Sequence, residues 1–159
     1  MQIRMASEAD LSAIQSLLHA NVLPIKDVSK ALIEGFLVAE GATGSIIGVG
    51  GLEHLNSKVL LRSLAVAPEA RGAGIARALI ARLESSARSC NKQDIWLLTT
   101  TAAGFFERAG YEHVSREKVP DEVRSCRQFA TLCPPTVCCM RKRLCTASCV
   151  PPSEQPVSN

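Results

Sequence analysis

The chain has 159 residues, a formal net charge of +3 and a hydrophobic fraction of 47%. This length fits one domain, and this composition is enough to bury a core. The small net charge argues against a nucleic-acid partner, and no apolar run approaches the roughly 20 residues that cross a bilayer. Because the N-terminus lacks a basic region followed by an apolar stretch, we expect no secretion signal and a cytoplasmic protein.

The N-terminal segment predicts a strand followed by two helices. Residues 1–5 can form a short strand, and Ser7 and Asp10 have the spacing of a capping box that opens a helix. The apolar stripe of that helix is formed by Leu11, Ile14, Leu17 and Leu18. Asp27 can cap a second, short helix. The inward residues of this second helix would be Val28, Ala31 and Leu32.

Three strands are predicted next. They cover residues 35–40, 45–54 and 58–67. Turns at 41–44 and 56–57 separate them, because glycine, asparagine and serine are concentrated there.

The stretch between Leu61 and Ala76 carries the strongest functional signal. An apolar, strand-like run ends at Pro68, and a short loop then opens a helix with the sequence Arg-Gly-Ala-Gly-Ile-Ala. Gly72 and Gly74 leave the backbone at the helix start uncrowded by Cβ atoms. The first N–H groups of a helix have no partner within it, and together with the helix dipole they form a phosphate site. The alternative is an ordinary strand–loop–helix unit with glycines for close packing.

The C-terminal half predicts further elements of both kinds. They are a strand over 94–99, a helix over 102–109 that Gly110 ends, a strand over 111–115, a helix over 120–132 and a last strand over 137–144. From Thr146 onward the chain has three prolines and neither a helical nor a strand pattern of apolar residues. We therefore expect one domain over 1–145 and a flexible, proline-containing tail over 146–159.

Two motifs occur in the order and at the spacing of one enzyme family. Residues 71–76 match the pattern Arg/Gln-X-X-Gly-X-Gly/Ala, and residues 103–111 form a helix pattern that ends in glycine and an aromatic residue. They resemble the two motifs of the GCN5-related N-acetyltransferases, the GNAT family, and residues 64–69 resemble its fourth strand and turn. The resemblance implies an α/β (α+β) fold: a single GNAT-like domain with a mixed, mostly antiparallel twisted sheet of six to seven strands, flanked by helices, with a splayed fourth strand.

Three further segments are similar to acetyltransferases encoded in bacterial arsenic-resistance operons. They are residues 61–64, residues 97–103, and residues 129–134 with Cys139 and Met140. This likeness implies acetyl transfer to the amine of a small amino-acid-like acceptor, organoarsenicals with a free amine included. Two alternatives stay open: a protein N-terminal or lysine acetyltransferase, and a non-catalytic protein that binds acetyl-CoA or captures a metalloid with thiols. A homodimer is common in this fold.

The family resemblance implies acetyl-CoA as the cofactor. Its pyrophosphate would sit on the N–H groups of residues 72–76, with charge-assisted contacts from Arg71 and Arg77. Its pantetheine arm would run beside the splayed strand, with Phe105 and Phe106 available to line its apolar side. The residues expected to bind it are Leu64, Ala65, Val66, Arg71, Gly72, Ala73, Gly74, Ile75, Ala76, Arg77 and Phe106.

Acetyl transfer to nitrogen needs a neutral amine and a route for one proton to leave. Glu53, near the end of a predicted strand, is the expected catalytic base, and its neighbour His54 should point to the opposite face. The alternative for Glu53 is a solvated charge at a strand end. Many family members carry a tyrosine, the acid for the leaving thiolate, where this chain has Phe106, and Tyr111 falls at a packing position.

Three arginines are candidates for binding an anionic group of the acceptor. Arg62, Arg124 and Arg127 can each bind a carboxylate, phosphinate or arsenate-like group by paired hydrogen bonds. Arg62 is favoured because its strand borders the acetyl site, and Ser63 should face the other way. The alternative for each arginine is a surface or ion-paired residue.

The chain has seven cysteines, six of them after residue 125. Their odd number and the sizeable core argue against a disulfide scaffold. We favour small buried hydrophobes in a C-terminal strand. A zinc site is disfavoured because there is no Cys-X-X-Cys and no nearby histidine, so we expect no metal, although thiolate capture of a thiophilic element such as trivalent arsenic stays open.

Overall fold

The computed structural model describes residues 1–23, 25–100, 102–124 and 137–144. The strands are β1 (Gln2–Met5), β2 (Phe36–Glu40), β3 (Ile46–Leu55), β4 (Lys58–Val66), β5 (Asp94–Thr99), β6 (Glu112–Val114) and β7 (Cys138–Arg143). The helices are α1 (Leu11–Ala20), α2 (Ile75–Ser89), α3 (Ala103–Arg108) and α4 (Asp121–Arg124). The strands form a seven-stranded sheet in the order β1-β2-β3-β4-β5-β7-β6. Neighbours are antiparallel except β4 and β5, which are parallel. The expected fold class is confirmed.

Strand β4 leaves its neighbour β5 part-way along its length. The pairing consists of Leu60 with Trp96 and Leu61 with Leu97, although β4 continues to Val66. A bulge accompanies the separation, because two β4 residues lie opposite one residue of β3 between the pairs Gly51–Arg62 and Val49–Ala65. The splayed fourth strand is therefore present, and its backbone past Leu61 is free of β5.

Apolar side chains fill both faces of the sheet. The face covered by α2 and α3, called here the α2 face, buries Leu52, Val59, Leu61, Leu83, Leu97 and Phe106. The opposite face, called the α1 face, buries Ile14, Leu18, Phe36, Val38 and Val49 beneath α1. Successive strand residues point to opposite faces. Leu60 accordingly turns away from the α2 face and packs with Trp96 and Val123 of α4.

The segment between α1 and β2 differs from its prediction. Residues 25–31 form turns and irregular backbone instead of a helix, and a short 3₁₀ turn covers Leu32–Gly35. Val28 is buried as expected, but Ala31 is exposed and Ile33 takes the inward position. Asp27 caps no helix there, because its carboxylate is held by an arginine of the sheet.

The other predicted elements agree with the structure within the described residues. The Ser7–Asp10 capping box is formed. The predicted helix over 120–132 is described only as α4, because residues 125–136 lie outside the described ranges. Across those ranges, no helix combines the length and the apolar character that a membrane crossing requires.

Candidate functional site

A cleft with a volume of about 250 Å³ opens where β4 ends and α2 begins. It is lined by Val66, Ala70, Arg71, Gly72, Gly74, Ile75, Ala76, Arg77 and Phe105. Except for Ala70 and Phe105, every lining residue belongs to the set predicted for acetyl-CoA. Leu64, Ala65 and Ala73 are neighbours in sequence that do not line the cleft. The cleft thus coincides with the predicted phosphate loop.

The backbone of this loop forms an open cradle. Gly72 and Gly74 have φ angles of 86° and 80°, and a Cβ added to either would meet nothing within 4 Å. The N–H of Ala78 donates to the carbonyl of Gly74 at 3.0 Å, which is the first bond of α2. The N–H groups before Ala78 therefore have no partner within the helix, and they can bind the oxygens of a phosphate. These residues fit the diphosphate of acetyl-CoA.

Two exposed arginines flank the cradle. Arg71 donates from Nε to the carbonyl of Val66 at 3.3 Å and from Nη2 to Oδ1 of Asn21 at 2.6 Å. It therefore ties the loop to the ends of both β4 and α1. The guanidinium of Arg77 lies 5.9 Å from the ring centre of Phe105, within the range of a cation–π contact. Both cations are placed to attract an anionic ligand.

The phenylalanine at the cleft is Phe105, and this corrects the prediction for Phe106. Phe106 is 5% exposed and packs in the core. Its ring centre lies 5.6 Å from that of Tyr111 in an edge-on arrangement. Consecutive residues of a helix point about 100° apart, so only one of the two can face the cleft.

Tyr111 is a buried packing residue, as its position in the motif indicates. Its hydroxyl donates to Glu84 at 3.0 Å. Burial, followed by the charge of Glu84, raises the pKa of Tyr111 above its ordinary value. A protonated phenol inside the core cannot serve a reaction at the cleft.

A buried cluster of charges lies on the α1 face, next to the point where β4 leaves β5. Arg62 donates from Nη1 and Nη2 to both oxygens of Asp27, at 2.5 and 2.7 Å. Its Nη1 also donates to Oε1 of Glu53 at 3.0 Å. The side chains of Arg62, Asp27 and Glu53 are 1%, 7% and 23% exposed. Within this cluster, Glu53 therefore has the most solvent-accessible side chain.

This cluster corrects two predictions about β4. The guanidinium of Arg62 is bonded to protein carboxylates instead of being open to an acceptor anion. Burial alone would lower the pKa of Arg62, but its contacts with Asp27 and Glu53 outweigh that effect and the net change is upward. Ser63 does not face away, because the bulge gives it a φ of 59° and its Oγ accepts a bond from Nε of Arg62 at 3.2 Å.

Of the remaining predicted residues, Glu53 and the helix that carries Arg124 lie on the α1 face. Glu53 pairs across the strands with Leu60, so the two share that face. His54, the next residue, is exposed on the other side. Arg124 is exposed at the described end of α4, which packs on the same face through Val123. Arg127 lies outside the described residues.

Two residues of the site were missed by sequence reasoning: Asp27 as a partner of Arg62, and Asn21 as a partner of Arg71. Phe105 was named with Phe106 as able to line the arm, but it was left out of the expected binding set. An arginine inside an apolar strand does signal that a buried acid must compensate it. Nothing in the local sequence identifies which acid this is, because Asp27 is distant along the chain.

The cysteines form no recognisable site in the part of the chain that the structure describes. Cys90 is exposed, Cys138 is half-buried and Cys139 is buried. Cys139 packs among Leu98 and Val123 as a small hydrophobe does. Over the same ranges, no three or more His, Cys, Asp or Glu residues come together in a way that could hold a metal ion.

Comparison with known proteins identifies the family. The model of the Acetyltransferase (GNAT) domain matches residues 33–113. The uncharacterized N-acetyltransferase CT2212 of Chlorobaculum tepidum is 30% identical over 145 residues, which is 86% of this chain and 90% of that protein. These matches confirm the family resemblance.

Solved structures agree with this family. Rv2747 from Mycobacterium tuberculosis, in complex with CoA and NLQ, is 25% identical, with a TM-score of 0.77 over 91% of this chain and 99% of that one. N-acetylglutamate synthase from Neisseria gonorrhoeae, complexed with coenzyme A and N-acetyl-glutamate, has a TM-score of 0.80 at 20% identity. That match covers 90% of this chain but 35% of the synthase, and it supports the fold alone. The chain therefore belongs to the GNAT acetyltransferase family, whose enzymes use acetyl-CoA as the acetyl donor.

Proposed function

We propose that the protein transfers the acetyl group of acetyl-CoA to the primary amine of a small, amino-acid-like acceptor. The observation that carries this proposal is the position of Glu53, a partly exposed carboxylate on the α1 face beside the splay of β4 and β5. An amine that approaches from this face would meet a negative charge next to the opened strand. Organoarsenicals with a free amine belong to the proposed acceptor class. Their inclusion is supported by the three sequence segments that resemble acetyltransferases encoded in arsenic-resistance operons.

The cleft supplies the contacts that the donor requires. Acetyl-CoA would bring an activated acetyl thioester, and the loop N–H groups with Arg71 and Arg77 would hold its diphosphate. Residues 64–66 would offer backbone groups to the amides of its pantetheine arm, because β4 has left β5 by that point. Phe105 would cover one side of the arm.

Glu53 would handle the proton of the acceptor. A carboxylate attracts the ammonium form of an amine and can take its proton directly or through a water molecule. Arg62 donates to this carboxylate from within the core and thereby fixes its position. No side-chain acid is needed for the leaving thiolate, since thiols ionise near pH 8.5.

The anionic end of the acceptor would be bound by arginines outside the buried cluster. Arg62 is already engaged with Asp27 and Glu53. Arg124 is exposed on α4, and Arg127 remains a candidate by sequence. The proposed acceptor has an ammonium group and an anionic group, which is a carboxylate, phosphinate or arsenate-like group. Its ammonium group would face Glu53, and its anionic group would bind these arginines.

An acceptor panel tests this proposal. Purified protein and acetyl-CoA are mixed with arsinothricin, phosphinothricin, ordinary amino acids or short peptides, and the release of free CoA thiol is followed. We expect turnover with one or more of the small amines. Turnover with peptides alone would favour a protein acetyltransferase, and tight binding of acetyl-CoA without turnover would favour a sensor.

The variant Glu53→Gln should lower kcat by about 100-fold, because the loss of a general base commonly costs this much. The affinity for acetyl-CoA should be unchanged. Glu40→Gln is a matched control, since Glu40 is also paired with an arginine and its side chain is 26% exposed. An unchanged kcat in Glu53→Gln would remove Glu53 from the mechanism.

A further inference from the structure

We propose that Asp27 and Arg62 are positioning residues that hold the Glu53 carboxylate toward the acceptor. Asp27 belongs to the loop between α1 and β2, whereas Arg62 and Glu53 belong to the sheet. The loop would thereby control the reactive carboxylate through a single guanidinium. This inference deepens the proposed function and rests on it for the role of Glu53.

The hydrogen bonds of Arg62 fix its side chain completely. A guanidinium has five N–H donors in one plane, and four bonds run from Arg62 to Asp27, Glu53 and Ser63. The two bonds to Asp27 form a bidentate pair, which sets both the position and the plane of the group. The bond from Nε to Ser63 holds the other edge. The second N–H of Nη1 is thereby directed at Glu53.

The exposed fractions of the three side chains distinguish the positioning residues, Asp27 and Arg62, from the proposed base, Glu53. Arg62 and Asp27 are 1% and 7% exposed, so both side chains are closed to an acceptor. Glu53 is 23% exposed and has the weaker, single contact to Arg62. The Glu53 carboxylate is held by Arg62 on its buried side and is accessible to solvent on the other side. This arrangement suits a group that contacts a ligand. Glu53 therefore presents the accessible carboxylate of the cluster to an incoming amine.

A second cluster of the same composition provides an internal control. Arg4 donates to both oxygens of Asp10 at 2.8 and 3.0 Å and from Nε to Glu40 at 2.9 Å. It joins β1, the start of α1 and β2 at the edge of the sheet. It therefore has the same arginine, aspartate and glutamate arrangement without the splayed strand beside it.

Free energies of unfolding test the coupling without any acceptor. Asp27→Asn, Glu53→Gln and the double variant are compared in urea. The double variant should lose more stability than the sum of the single losses, because Arg62 is then buried without either acid. The pair Asp10→Asn and Glu53→Gln should be additive. Additive losses for Asp27 and Glu53 would overturn the proposal, even if no amine in the panel is acetylated.

Kinetics then separate positioning from a structural role. With the most active amine of the panel, Asp27→Asn should lower kcat about tenfold while KM for acetyl-CoA stays within about twofold, because a misplaced group costs rate more than donor binding. Asp10→Asn should keep kcat within about twofold. In Arg62→Ala, added guanidinium chloride should restore part of kcat, whereas Arg4→Ala should show no such recovery. An unchanged kcat in Asp27→Asn, or no recovery in Arg62→Ala, would contradict the proposal.

Discussion

Gly72 and Gly74 carry the local geometry on which the proposed donor binding depends. Their φ angles of 86° and 80° lie in the left-handed region, where a side chain costs roughly 1–2 kcal/mol per residue. The space around both Cβ positions is empty within 4 Å. A methyl group at either position would therefore strain the loop and intrude into the space that a diphosphate needs.

Replacing Gly74 with alanine should weaken acetyl-CoA binding about tenfold, which corresponds to about 1.4 kcal/mol. The measurement is the rise in Tm that acetyl-CoA causes, which should be smaller in the variant. Gly44→Ala is the matched control, because Gly44 has a φ of 84° and equally open surroundings in the turn between β2 and β3, and it does not line the cleft. Gly44→Ala should lose similar stability and keep the full acetyl-CoA effect. Equal ligand effects in both variants would contradict a diphosphate site at Gly74.

Local chemistry explains which residues the sequence could identify. The glycine loop is contiguous, and its function follows from backbone conformation, so Gly72, Gly74, Arg71 and Arg77 could be placed at the cleft before the structure was known. Arg62 could be recognised as important, but its acidic partners could not be identified, because they are distant in the chain. The choice between adjacent phenylalanines depends on the rotation of a six-residue helix, which the sequence does not define.

At the level of elements, the sheet follows closely from apolar runs and turns. The three strands from β2 to β4 lie within one or two residues of their predicted ranges, because each is an apolar run bounded by turn residues. The bulge in β4 could not be foreseen, since Ser63 is not a residue that favours a positive φ. The segment over 25–31 was also mispredicted, because its apolar residues fit a helical period while Asp27 is used by the sheet.

Arg4, Asp10 and Glu40 join β1, the start of α1 and β2, and we expect their ion pairs to make the free energy of unfolding depend on pH. Hydrogen bonds from Arg4 are the largest cause that lowers the pKa of Asp10, from 3.8 to about 2. A carboxylate with a lowered pKa stabilises the fold at pH values above its unfolded pKa, and that stabilisation is lost as the pH falls through the folded pKa. Asp10 therefore supports the fold at neutral pH and ceases to do so in acid.

Asp10→Asn should lower the free energy of unfolding at pH 7 by about 2 kcal/mol, given the size of the change in pKa. The difference between the two proteins should shrink between about pH 5 and pH 2, measured by urea unfolding across this range. Glu112→Gln is the control, because Glu112 is 65% exposed in its pair with Arg141 and such pairs contribute little. A difference that persists unchanged in acid would show that Asp10 acts through packing.

At the scale of the whole molecule, the proposed donor site and the proposed acceptor site lie on opposite faces of the sheet. The cleft at the start of α2 offers N–H groups and cations to the donor. In the proposed mechanism the opposite face offers Glu53 to the acceptor, and the gap between β4 and β5 lies between them. The fold as a whole could be predicted because two local motifs imply it. The acceptor could not, because its proposed recognition would depend on side chains gathered from α4, the loop at Asp27 and the sheet.

Transfer of a labelled acetyl group measures the proposed reaction itself. Acetyl-CoA carrying carbon-13 in its acetyl carbonyl is incubated with the protein and the amine panel, and the label is followed by NMR. We predict that the carbonyl signal moves from the thioester to the amide of a small N-acetylated amine, over many turnovers per protein molecule. A label that stays in bound thioester, or that appears only in acetate or in peptides, would contradict an N-acetyltransferase for small amino-acid-like amines.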